Sequence, residues 1–340
     1  MKNYIYKALQ FALFLGLGIF LVWWSLSGIS PDAKQNIIKT FSQGNYAWLG
    51  LAGVFAVLSN ISRAIRWQML IEPVAPKPGL VNTFLSVMIG YLANLAFPRL
   101  GEVARCGTLS RYEGISPAVA FGTVIAERII DLLSLVLLVL VLIVTQFKVI
   151  GGYFNEKIGQ PLWAKITNLA ANPQSLVLLV VGGVAALLLI RLASKYFGQT
   201  IFYQKAAGFG STILSGVQSV SQVKNLPMFI AHSIFIWFMY LMMNYVCFFT
   251  TDVTSHLSMG VALATLVFGT FGMIATQGGV GAYQLIVAGL LTIYGIQYDL
   301  GYGFSWIIWG MQTSMMLLGG FVSLIILPIY NRAGKETIKY

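Results

Sequence analysis

The sequence predicts an all-α integral membrane protein, a polytopic helix bundle, on three observations. Mean hydropathy is +0.80, with 58% of residues hydrophobic. Only 9% are charged, far below the roughly 25% of an average soluble domain. The apolar runs are long and continuous instead of alternating, which is the pattern of membrane helices and not of a transmembrane barrel.

The first run, residues 8–28, follows Lys2 and Lys7. It is longer than the apolar region of a secretory signal, and no small-residue cleavage site precedes Pro31, so it is read as the first span. Further runs lie near 46–62, 80–98, 117–147, 174–190, 226–249, 259–275, 280–296 and 303–328. They are read as about seven full spans plus two re-entrant or broken segments. Short loops predict a single membrane domain over 1–340, with short cytoplasmic tails at 1–7 and 331–340.

The net charge of +11 suggests nucleic acid at first sight, but Lys and Arg beside spans have a simpler cause in their retention on the cytoplasmic side. With the N-terminus inside and the 80–98 run dipping in and returning, most of the 21 basic residues fall inside. Lys34, Lys39, Lys148, Lys157 and Lys165 fall outside, and Arg128 lies within the membrane. A full crossing by 80–98 would move the basic residues between Arg191 and Lys224 outside and spoil that asymmetry. Charge placement therefore predicts a re-entrant segment ending at Pro98 and both termini cytoplasmic, the membrane being expected to be a bacterial inner (cytoplasmic) one. No nucleic-acid partner is expected.

The run from 259 to 296 is broken by Gly269, Gly272, Gly278, Gly279, Gly281 and Gly289, of which Gly278 and Gly279 permit a sharp turn. Irregular backbone at membrane depth is tolerated only where protein buries it or where it lines a watery cavity. The break at Pro98 and Gly101 and the break at Gly278, Gly279 and Gly281 are thus expected to face each other or a shared pocket. One broken segment in each half is the layout of transporter folds built from internal repeats. "GYLANLAFPRLGE" and "GTFGMIATQGGVG" share that layout at low identity.

Residues 94–135 carry eight charges in otherwise apolar sequence: Arg99, Glu102, Arg105, Arg111, Glu113, Glu127, Arg128 and Asp131. A lone ionised side chain at bilayer depth costs about 2.5–3.5 kcal/mol even on lenient insertion scales, so these charges need partners. Glu127, Arg128 and Asp131 sit on neighbouring helix faces, free to pair with each other or with Arg99, Glu102 and Arg105. Arg99, Glu102 and Arg105 recur at intervals of three after the Pro98 break, an Arg-Glu-Arg ladder suited to an anion. Arginine's planar fork binds phosphate oxygens bidentately and stays charged when partly dehydrated. The obvious anion in a membrane is a lipid headgroup phosphate. The alternative is that the cluster only ties helices together. Arg111 and Glu113 are read as cytoplasmic loop residues. Arg63, Arg66 and Trp67 are read either as an interfacial anchor or as part of the headgroup site.

Cys106 and Cys247 lack metal or disulfide spacing and are expected to be free thiols. His232 and His256 lack partner ligands and are read as packing or interfacial residues, and neither a metal nor a cofactor is expected. The sequence has no P-loop, nucleophile elbow or HExxH motif.

"SRAIRW", "GYLANLAFPRLGEVAR", "AERIIDLLSL" and "GGVGAYQ" together resemble the transmembrane domain of the bacterial lysylphosphatidylglycerol synthase/flippase superfamily, over about residues 8–330. The resemblance implies a lipid-translocating membrane domain with re-entrant segments. It also implies that Arg63, Arg66, Asn94, Pro98, Arg99, Gly101, Glu102, Arg105, Glu127, Arg128, Asp131, Gly278, Gly279 and Gly281 occupy family positions. Two departures stand out: Gln277 replaces a proline and Gln284 a glutamate of the second break. Losing that carboxylate removes a negative charge from the expected cavity. An anionic phospholipid or a polyprenyl-phosphate-linked lipid then suits it at least as well as a cationic aminoacylated lipid. The chain ends ten residues after Tyr330, so no soluble aminoacyl-transfer domain, and no lysyl transfer, is expected.

The expected function is therefore lipid translocation between leaflets, without catalysis, by a protein that could form a homo-oligomer. Arg99, Arg105 and Arg128 would contact phosphate, with Glu102, Glu127 and Asp131 orienting them. Two rivals remain at this stage. One is a membrane-embedded transferase using Glu102 or Asp131 as base, and the other is a lipid-binding scaffold for a cell-envelope enzyme.

Overall fold

The computed structural model describes residues 41–97, 100–154 and 222–337, with a few isolated positions elsewhere. The expected spans at 8–28 and 174–190 lie outside these, as do Pro98 and Arg99. The described chain is a bundle of eight α-helices: α1 (Ala47–Ile71), α2 (Leu80–Ala96), α3 (Leu100–Glu113), α4 (Pro117–Phe154), α5 (Leu226–Cys247), α6 (Met259–Ala275), α7 (Ala282–Ile293) and α8 (Tyr298–Thr337). No strand occurs among the described residues. Among the described residues four stretches are long and apolar enough to cross a bilayer: Ala47–Ile71, Pro117–Phe147, Leu226–Thr250 and Tyr298–Arg332. The protein is thus a polytopic membrane helix bundle.

Local chemistry sets the helix ends. Pro117 opens α4, where its missing N–H costs nothing. Asn225 caps α5 by accepting the Met228 N–H (3.1 Å), with Pro227 in the first turn. Apolar surface then packs the helices. Ala52, Ala56, Met243, Phe248, Val287 and Phe304 join α1, α5, α7 and α8 in the main core. Trp67, Val87, Cys106, Leu109 and Val124 join α1 to α4 in a second.

Two antiparallel hairpins shape the centre. In α2 and α3, Asn94 approaches Gly101 near the tip, while Asn82 donates to Glu113 (2.6 Å) at the open end. In α6 and α7, Gly272 packs against the Tyr283 backbone near the tip, with open ends at Met259 and Ile293. The hairpins enter from opposite ends of the bundle. The α2–α3 base lies with the ends of α1 and α8, where Gln68 donates to the Pro78 carbonyl and Asn82 to Asn331. The α6–α7 base lies at the other end, where Tyr294 donates to Gln146 of α4 (3.2 Å).

Several boundaries differ from those read in the sequence, for one reason: a hydropathy window stops at the first charge, whereas a helix stops only where backbone bonding fails. Helix α1 runs through Arg63 and Arg66 to Ile71, so these arginines and Trp67 are buried in the helix and are not interfacial anchors. Arg111 and Glu113 form the last turn of α3 and not a loop. Helix α8 continues to Thr337 through the expected tail.

Close approach at the first tip depends on Gly101, where an added Cβ would lie 2.2 Å from the Gly90 carbonyl oxygen and 2.4 Å from Asn94 Cγ. Gly101→Ala is therefore expected to destabilise the protein by about 1–3 kcal/mol, as overpacking does. Gly107→Ala on the same helix meets nothing within 4 Å and is expected to be neutral or to stabilise by about 0.5–1 kcal/mol. Thermal unfolding of the two variants in detergent checks the pair.

Candidate functional site

Arginines from three helices converge on two carboxylates of α4. Glu127 has no exposed surface. It takes Arg63 Nη1 on one oxygen (2.5 Å) and Arg105 Nη2 on the other, with Arg66 Nη2 3.7 Å away. Asp131, one turn on, accepts from Arg63 (2.8 Å) and Arg66 (2.6 Å). Arg66 also donates to Ser233 of α5 (3.3 Å), and the Arg105 guanidinium lies 4.2 Å above the Trp67 ring. Trp67 is held in turn by its N–H to Thr123 (2.9 Å).

This geometry redistributes the roles expected from spacing. Of the expected ladder Arg99 lies outside the described residues, and Glu102 and Arg105 do not pair with each other along α3. Glu102 reaches Arg128 (3.1 Å) and Arg105 reaches Glu127, because a facing helix satisfies both charges where their own helix would satisfy only one. Arg63, Arg66 and Arg105 are at most 4% exposed and bound to carboxylates, so they are not open to a ligand's phosphate. Arg128 differs: 41% of its side-chain surface is accessible. Among the described residues the cluster sets Arg63, Arg66, Arg105 and Arg128 against Glu102, Glu127 and Asp131, an excess of one positive charge.

Arg128 and Asp131 border a cavity of 460 Å³ lined by α1, α2 and α4 to α8. Arg63, Asn60 and Tyr240 extend its polar side, while Leu132, Leu135, Met243, Met273 and Met315 make the rest apolar. Leu132 of α4 and Ile274 near the tip of α6 line it and are 39% and 71% exposed, so apolar surface is accessible at this side of the cavity. Sequence reasoning missed Asn60, Tyr91, Tyr240 and Asn244. Neutral polar residues on an apolar helix carry no charge signal, although Asn60 lies one turn from Arg63.

The two breaks meet. Gln277 Nε2, at the second tip, donates to the Asn94 carbonyl (2.7 Å) and approaches that of Leu95 (3.3 Å) at the first. Trp309 Nε1 donates to the Gly278 carbonyl (2.7 Å). The turn uses Gly278, Gly279 and Gly281 at φ +62°, +76° and +79°, where only glycine is unstrained. Asn94 is not part of the charged cluster, since its side chain accepts the Gly101 N–H (2.7 Å) and caps α3. Gln284 does not line the cavity either. It is fully buried and accepts the Gly281 N–H (2.8 Å), so its lost carboxylate subtracts no charge from the cavity wall. Cys106 and Cys247 are free and buried.

Residues 8–320 match the family described as the lysylphosphatidylglycerol synthase TM region. The chain belongs to this family. It is also 30% identical over 122 residues to the UPF0104 membrane protein MJ1595 of Methanocaldococcus jannaschii, a match covering 35% of this chain and 36% of that one. No solved structure matches. Membership points to a lipid-related role for a multi-pass membrane protein.

Removing one partner of a buried ion cluster leaves the others unpaired. Glu127→Gln is expected to cost about 3–5 kcal/mol and to sharply reduce the yield of monodisperse protein. Glu102→Gln, which faces the half-exposed Arg128, is expected to cost under about 1 kcal/mol. Size-exclusion profiles and melting temperatures of the two variants check this.

Proposed function

We propose that this chain moves a phosphate-bearing lipid between leaflets, the headgroup passing through the cavity while the tails stay in the bilayer. The observation that carries this reading is Arg128. It stands half-exposed at a cavity that is charged on one side and apolar on the other, with exposed Leu132 and Ile274 in its lining. That gradient matches a lipid, with phosphate at the guanidinium and acyl or prenyl carbon against leucine and methionine. The two hairpins are the re-entrant segments of this reading, entering from opposite faces and meeting at Gln277.

Orientation follows from charge. Among the described residues Lys77, Arg111, Lys224 and Arg332 lie at the end where α1 finishes and α5 begins, so that end faces the cytoplasm of a cytoplasmic membrane. Both termini are assigned there too. The lipid is an anionic phospholipid, an aminoacylated lipid or a polyprenyl-phosphate lipid. In this reading the chain binds and moves it without catalysis, Asp131 holding Arg63 and Arg66 and Glu102 holding Arg128.

In vesicles, Arg128→Ala is expected to slow translocation of headgroup-labelled anionic lipid at least about tenfold, the scale of one charge-assisted contact. Its melting temperature should stay near that of the parent, because Arg128 is the partly exposed member of the cluster. Arg128→Lys should restore part of the rate. An Arg128→Ala protein at full rate overturns the reading, and turnover of a lipid-linked donor by the parent would favour the transferase.

A further inference from the structure

The cavity's charged side is accounted for by the cluster, but its middle is not. One turn deeper than Arg63 on α1, Asn60 lines the cavity with its side-chain carbonyl unpartnered, its amide nitrogen being spent on the Ala56 carbonyl (2.9 Å). On α5, Asn244 repeats the arrangement, donating to the Tyr240 carbonyl (2.9 Å) and leaving Oδ1 free, though it is only 1% exposed. On α6, the Thr265 hydroxyl is fully buried, lines the same cavity and has no partner. Trp237 adds an unpartnered indole N–H.

Buried polar atoms without partners are rare, and where several belong to residues lining one cavity, water or a polar ligand group is the usual partner. Here they are uncharged, they mix donors with acceptors, and they are drawn from three helices. Interchanging O and N of either asparagine amide would still leave one amide atom of each free. Groups that both donate and accept match such a set, and the organic group of that kind is the hydroxyl. An ammonium group would find poor company. Asp131 has both oxygens on arginines, and among the described residues no other carboxylate lines the cavity.

We infer that the lipid taken by this site carries a neutral, hydroxyl-bearing group beyond its phosphate, a polyol or a sugar, and not a cationic amine. The inference rests on the reading that Arg128, which lines the same cavity, takes the phosphate. Such a headgroup comes either from a glycerophospholipid with a polyol or from a polyprenyl phosphate bearing a sugar.

Native mass spectrometry of the detergent-purified full chain tests this. The protein is offered equal amounts of phosphatidylglycerol, phosphatidylinositol, polyprenyl phosphoryl glucose, phosphatidylethanolamine, phosphatidylcholine and phosphatidic acid. At least one of the three hydroxylated lipids is expected to be retained about fivefold or more over the others, as one or two neutral hydrogen bonds supply. Whether it is a phospholipid or the prenyl phosphosugar identifies the source. Asn60→Leu with Asn244→Leu should bring retention down to that of phosphatidic acid. Should that double variant fail to fold, Thr265→Val, which removes one hydroxyl at nearly constant volume, should lower the preference at least about twofold. Equal retention of phosphatidic acid, enrichment of an amine lipid, or variants with unchanged preference would overturn the inference. Retention of all six lipids undiminished in Arg128→Ala would instead overturn the phosphate reading alone.

Discussion

Glu127 is the constraint on which the rest of this fold turns. A carboxylate with no exposed surface cannot remain ionised at membrane depth without cations in contact, and three guanidiniums surround it. Two come from α1, three residues apart on one face, which fixes the rotation of α1 against α4. The third comes from α3, which fixes the return leg of the first hairpin against α4. Asp131 then saturates the remaining donors of Arg63 and Arg66. Arg128, on the adjoining face of α4, has only Glu102 close and Asp131 at 3.8 Å, and is left open to the cavity. The accessible cation is thus a by-product of burying the others.

A second constraint comes from the backbone. In a continuous helix the Asn94 carbonyl would accept from the nitrogen of residue 98, but that residue is proline and has no hydrogen to give. An unmet carbonyl in the hydrocarbon zone needs another donor. Gln277 supplies it from the opposite hairpin. One helix break is completed by the side chain of the other, so the two tips meet where both backbones are irregular.

Much of this was legible in the sequence because charge and proline are expensive in lipid and so stand out. The pairing of a break near Pro98 with one near Gly278, and the grouping of Glu102, Arg105, Glu127, Arg128 and Asp131, follow from that cost alone. What the sequence could not convey was direction. Spacing of three allowed Glu102 and Arg105 to pair along α3, and only the position of α4 decides that both turn outward. Arg63 and Arg66 looked like boundary residues because a hydropathy window cannot tell a charge in water from one bound to Glu127. Asn60, Asn244 and Thr265 were invisible for the opposite reason: a single neutral polar residue hardly perturbs an apolar run.

The cluster's balance also bears on how a lipid could leave. A site that moves a ligand must bind it well enough to admit it and weakly enough to release it. Four arginines without carboxylates would hold a phosphate in the low-dielectric interior far too tightly to let it go, because Coulomb attraction scales inversely with dielectric constant. Three carboxylates beside the four arginines offset most of that attraction, leaving about one charge to act. On α1, Arg63 gives way to Asn60 and then Ala56, and on α4 Arg128 and Asp131 give way to Leu132 and Leu135. The attraction therefore fades along the cavity, and under the proposed function a headgroup drawn to Arg128 would meet neutral hydrogen-bonding groups instead of a second ring of charge.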